Sequence, residues 1–281
     1  MSNFDQLDES EFIVNNSDFK IDIPKALGVA IIIILCLVVV SSIVTLPAYF
    51  WKDFYHVALP LSFLAGGVSA IFLLLIYLKI KWKTIIEHLK TSPNVWVIIL
   101  SPMLFIFALP FAEFTTSLVP TAGNPILEQL YKSTIEAFEM MLNYKVAGFI
   151  TVCILAPILE EILFRGILLR GMLHQGINPA IAIILSSILF GLAHMNPWQF
   201  IGAGILGAIF AYIYYRTKSL WICIFLHSLN NTISFILMLK FQSMEENVID
   251  PNDYVSIFLC LFIAILIGFG IYKLTPNIKW N

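Results

Sequence analysis

Charge is scarce in this sequence. Asp, Glu, Lys and Arg together make up 12% of 281 residues, roughly half the share of a soluble domain. Cysteine is scarce too: Cys36, Cys153, Cys223 and Cys260 all lie in apolar stretches and form no CxxC pair. Buried thiols of this kind behave as small hydrophobes, so neither a disulfide nor a metal role is expected of them. There is no internal repeat and no low-complexity tract. Nothing resembles a cleavable signal peptide, because the polar, acidic opening "MSNFDQLDESEFIVNNSDFKIDIPK" runs into a full-length apolar stretch. A soluble second domain is not expected. The net charge of −2 says nothing about partners, and no nucleic-acid partner is expected.

Apolar residues fill the space. They make up 59% of the chain, and the mean hydropathy is +0.90. Runs of about 20 apolar residues, each able to cross ~30 Å of hydrocarbon, recur along the length. Spans are expected near 26–49, 57–78, 94–113, 146–170, 179–196, 200–215, 220–239 and 253–272. The fold class is therefore an all-α polytopic membrane bundle of about eight transmembrane helices. The expected organisation is a polar tail over 1–25, N-terminal spans plus an amphipathic helix over 26–145, a core over 146–240, and a last span with its tail over 241–281. With the N-terminus inside, 12 of the 16 basic residues fall on the inner side and 4 on the outer. The positive-inside rule then puts both termini in the cytoplasm. Membrane lipids are the expected surroundings; isoleucine- and asparagine-rich usage suggests a bacterial cytoplasmic membrane.

Between the third and fourth spans, "NPILEQLYKSTIEAFEMMLNYK" carries apolar residues at helical spacing and reads as an interfacial amphipathic helix on the outer side. His56, His88 and His174 fall in connections or at span ends and read as solvated. Glu113 reads as interfacial. Gly202 to Gly207 read as a close helix approach, and Trp198 and Trp221 as interface-belt residues.

Polar residues inside spans are rare and functional by default, and three clusters stand out. In "EEILFR" (160–165), Glu161 and Arg165 are four apart and pair on one helix face, while Glu160 points about 100° away. In "FGLAH" (190–194), Phe190 and His194 share a face. In "HSLNN" (227–231), Asn231 lies one turn beyond His227. Brought together, Glu160, His194, His227 and Asn231 form a pocket able to activate water. Glu160 would be the general base, and the imidazoles would orient the water or bind a metal. Asn231 and His227 could instead stabilise an oxyanion. Hydrolysis of an acyl bond fits, and no Ser or Cys stands out as a nucleophile, Ser228 included. Depth along the helices suggests that spans five and six form a shallow hairpin starting in the cytosol, with the "MNPW" turn (195–198) buried and the site opening to the cytosol.

These three motifs resemble the EExxxR, FxxxH and HxxxN signatures of the CAAX-protease and bacteriocin-processing (ABI) family, over roughly residues 145–240. The resemblance implies an intramembrane endopeptidase acting on membrane-associated proteins or peptides, similar to type II CAAX prenyl endopeptidases. It implies Glu160 and His194 as the water-activating pair, His227 and Asn231 completing the site, and Glu161 with Arg165 as a supporting ion pair. A zinc form would use Glu160, His194 and His227 as its three protein ligands; a metal-free glutamate mechanism is the other option. The alternative in a different class is a non-proteolytic immunity or chaperone-like membrane factor.

Overall fold

The computed structural model describes residues 19–241, 250–275 and 280. The expected tail over residues 1–18 and the connection over 242–249 lie outside them. Among the described residues ten helices follow one another: α1 (Ile23–Phe50), α2 (Tyr55–Tyr77), α3 (Trp82–Lys90), α4 (Val95–Ser117), α5 (Pro125–Asn143), α6 (Lys145–His174), α7 (Pro179–Leu192), α8 (Pro197–Thr217), α9 (Leu220–Phe241) and α10 (Tyr254–Leu274). Seven are long and apolar enough to cross a membrane. The remaining expected span, the fifth, is α7, whose 14 residues rise only ~21 Å. It stops because Asn196 caps the next helix and Pro197 opens it, and the residue before a proline avoids the helical region.

Helix α6 is the hub. In its most apolar window 61% of residues are buried, against 22% in α1 and 17% in α10, so those two mainly face lipid. It packs against α1, α2, α3, α7, α8 and α9. Two wide π-type turns, Ile150–Leu155 and Ile162–Leu169, interrupt it on either side of the glutamates. The first has a cause in the sequence. Pro157 has no N–H to give to the carbonyls one turn back, so the backbone widens and leaves acceptors open. Two side chains of α9 take them: Ser228 Oγ donates to the Cys153 carbonyl at 2.6 Å and Asn231 Nδ2 to the Val152 carbonyl at 2.8 Å. The proline thus docks α9, and with it His227, against the glutamate turn.

The two ends of the bundle differ. One end gathers α3, the last turn of α6, the α8–α9 corner and both described chain ends. Residues 19–22 are no tail here: Ile21 is fully buried and its N–H bonds the Gly171 carbonyl at 2.9 Å. A Cβ on Gly171 would come within 2.5 Å of the Ile21 side chain, so only glycine admits this contact. His88 and His174 are buried at this end, not solvated. Their rings close on Trp280 at 6.0 and 5.4 Å, and His88 Nδ1 lies 2.6 Å from the Tyr214 hydroxyl. Arg216 bonds Thr275 through its hydroxyl (2.8 Å) and carbonyl (2.7 Å), locking α8 to the end of α10. At the other end lie α5, the starts of α2 and α10, and the α7–α8 turn.

Candidate active site

Helices α6, α8 and α9 bring the polar residues together at mid-depth. Glu161 is fully buried, and its Oε1 accepts from Arg165 Nη1 and from His227 Nδ1, both at 2.9 Å. Arg165 is also fully buried; its Nη2 donates to the Gly207 carbonyl at 2.9 Å, and its guanidinium lies 4.4 Å from the Phe190 ring centre. Gly207 is needed for this approach, since a Cβ there would come within 2.9 Å of the Phe190 ring and 3.2 Å of Arg165 Nη2. Taking two charges out of water is costly, and only close pairing with added hydrogen bonds offsets it. Arg165 Nε and Glu161 Oε2 are buried with no hydrogen-bond partner.

Sequence spacing pairs Glu161 with Arg165 alone. The second partner, His227, is brought to it by helix packing. A carboxylate only accepts, so Nδ1 of His227 carries the hydrogen, and in the neutral ring Nε2 is a lone pair. That Nε2 lies 3.8 Å from Glu160 Oε2, an oxygen that is buried and has no hydrogen-bond partner. Lone pair and carboxylate oxygen repel unless hydrogen stands between them. At 3.8 Å the two are too far apart for a direct hydrogen bond. The adjacent glutamates therefore flank one imidazole, Glu161 bonded to Nδ1 and Glu160 Oε2 standing near Nε2. Phe210 stacks on the same ring at 5.7 Å, and Phe190 meets it edge-on at 5.7 Å.

His194 stands apart from this group. Its Nδ1 lies 3.0 Å from the Phe190 carbonyl, so Nδ1–H is the donor and Nε2 the free acceptor. The Phe190 ring is edge-on to both imidazoles, 5.1 Å from His194 and 5.7 Å from His227. His194 lines a cavity of about 410 Å³ between α5, the start of α2 and the α7–α8 turn. Met195 makes that turn at φ +56°, a left-handed conformation that costs a non-glycine residue ~1–2 kcal/mol. The turn lies at the α5 end: Trp198 is buried there, 5.0 Å from the Tyr131 ring, and its Nε1 donates to the Val119 carbonyl. From sequence the site is expected to open toward the end carrying the chain termini, with Trp198 in a lipid belt. In the structure Trp198 is buried and the cavity beside His194 lies at the opposite end, because α7 crosses most of the bundle before the turn.

Asn231 is occupied on both atoms of its carboxamide, donating to Val152 and accepting from Asn230 Nδ2 at 3.0 Å. Among the described residues no three His, Cys, Asp or Glu side chains are grouped to hold a metal ion. A three-ligand zinc site of Glu160, His194 and His227 is not assembled as these side chains stand.

Comparison with known proteins shows the family. The family profile "Type II CAAX prenyl endopeptidase Rce1-like" matches residues 142–233, a range that holds all three motifs. The chain is 39% identical to the "Putative membrane peptidase YdiL" of Bacillus subtilis over 87 residues, 31% of this chain, and spans 35% of that relative's length. It is 32% identical to the "Membrane-embedded CAAX protease MroQ" of Staphylococcus aureus over 204 residues, 68% of this chain and 79% of the relative. No solved structure is significantly similar. A match of that extent to MroQ, with the Rce1-like profile lying across the site, makes this multi-pass bacterial membrane protein a member of the CAAX-protease and bacteriocin-processing family.

Proposed function

We propose that the protein is an intramembrane endopeptidase that hydrolyses peptide bonds of membrane-associated proteins or peptides with water activated by Glu160. One observation carries the reading: His227 is held between the two glutamates, with Glu161 at 2.9 Å and Glu160 at 3.8 Å. The attacking water, brought to this pair with the substrate, donates one hydrogen to His227 Nε2 and the other to Glu160. As its oxygen attacks the substrate carbonyl carbon, its proton passes to Glu160, and the same proton later goes to the leaving amine as the C–N bond breaks. Glu161 fixes the His227 tautomer, and Arg165 holds the Glu161 carboxylate in place at 2.9 Å. His194 contributes Nε2 from the cavity side. Asn231 and Ser228 are positioning residues that hold α9 against the wide turn.

The test is cleavage of a membrane-anchored peptide library by purified protein in lipid nanodiscs, read by mass spectrometry. Wild type should cleave, and Glu160→Gln should lose ~10²–10⁴-fold, the usual contribution of general acid–base catalysis. Equal cleavage by the two proteins would remove Glu160 from the chemistry.

A further inference from the structure

We propose that the cavity beneath α5 is the substrate-binding subsite, that it takes an uncharged peptide segment, and that it opens on the extracytoplasmic side. The substrate class would then be proteins or peptides presented at the outer leaflet. This rests on the hydrolase reading above for what happens to the bound segment, but not for where it binds.

The wall of the cavity supports an uncharged occupant. Leu130, Thr134, Ala137, Phe138 and Met141 present one side of α5, facing Leu59 of α2 and Met195 of the turn. Among the described residues no Asp, Glu, Lys or Arg lines it. Apart from Tyr55 and His194, its polar side chains are turned back on the protein: Ser133 Oγ donates to the Gln129 carbonyl at 2.9 Å, Thr134 Oγ1 to the Leu130 carbonyl at 2.8 Å, and Asn196 Nδ2 to Gln199 Oε1. One phenol and one imidazole are too few to replace the water around a charged side chain. Apolar groups would lose little, and the volume of about 410 Å³ falls in the range of ligand pockets. Continuity with the chemistry comes through His194, which lines the cavity and shares Phe190 with His227.

Sidedness follows from the distribution of cations. The closed end holds Lys20, Lys25, Lys79, Lys81, Lys83, Lys90, Arg170, Arg216, Lys218 and Lys273 in the sequence; the cavity end holds Lys52, Lys132, Lys145 and Lys240. The positive end is retained in the cytoplasm, so the cavity faces away from it.

Both parts are tested on the Glu160→Gln protein, so that catalysis plays no role in the readout. Ser133→Cys marks the cavity wall and Lys83→Cys the opposite end. In intact bacteria a membrane-impermeant maleimide should label Ser133→Cys, and should reach Lys83→Cys only after permeabilisation; the reverse pattern would overturn the sidedness. In nanodiscs, an N-acylated octapeptide of leucine, alanine and phenylalanine should slow labelling of Ser133→Cys at least fivefold. The same peptide with lysine or aspartate at alternate positions should not. No protection, or equal protection by all three, would overturn the subsite. A wild-type protein without peptidase activity would defeat the proposed function and leave these results standing.

Discussion

The two ends of this bundle use similar residues to opposite effect. At the closed end His88, His174 and Trp280 pack into one another, Arg216 spends its hydrogen bonds on Thr275 and Tyr272, and Ile21 plugs the last turn of α6. At the open end His194 is only half-buried, beside a cavity, in a turn that holds Met195 at positive φ. An imidazole is therefore no marker of chemistry by itself. What separates the two ends is whether the ring's partners leave it a free nitrogen and a space in front of it.

If that division is right, substitutions at the open end and in the mid-depth group should cost activity, and substitutions at the closed end should cost stability. The largest effect is expected from His194→Gln, with peptide cleavage down ~10²–10⁴-fold and thermal unfolding in detergent unchanged. Arg165→Leu should cost both: it strands the buried Glu161 carboxylate, a loss of about 3–5 kcal/mol, and lets His227 turn. Trp280→Ala should lower unfolding stability by roughly 3 kcal/mol, as for other buried large-to-small changes, with cleavage at permissive temperature retained. Loss of cleavage without loss of stability in that variant would break the comparison.

The last effect is felt only in acid. Burial, followed by the charges of Arg170 and Lys218 and then His174, pushes the His88 imidazole down to about 3. The unfolded value is about 6.5, so the folded state binds fewer protons between the two values. The stability that His88 contributes is thus present above pH ~6.5 and declines as the pH falls toward 3. Replacing it by Gln, which cannot titrate, should flatten the acid limb of a melting-temperature profile over that window; an unchanged limb would place the sensitivity elsewhere.

Much of this was legible in the sequence. Apolar runs of the right length gave the bundle, and three short polar motifs gave the residues that converge on α6. The geometry between elements was not legible. The i,i+4 rule links Glu161 to Arg165 but says nothing of His227, 66 residues away. Hydropathy could not tell that α7 is too short to span, nor that the apolar Phe19 and Ile21 leave a polar stretch to fill a gap beside Gly171. Solvated histidines at 88 and 174 were the expectation because position along the chain suggested an interface. The structure buries both, because α3 and the C-terminal Trp280 fold over them. One signal was present and unused: Pro157, three residues before the first glutamate.

That proline also governs phase. A wide turn adds one residue to a helical revolution and so rotates everything beyond it by about 100° relative to an unbroken helix. The pair 160–161 meets the imidazole of α9 only because the residues ahead of it carry this extra step. Two neighbouring acids elsewhere in an apolar helix, with the same flanking letters but a regular backbone before them, would present a different edge to their surroundings. The motif is thus an address that is read correctly only when the kink upstream is inherited along with it.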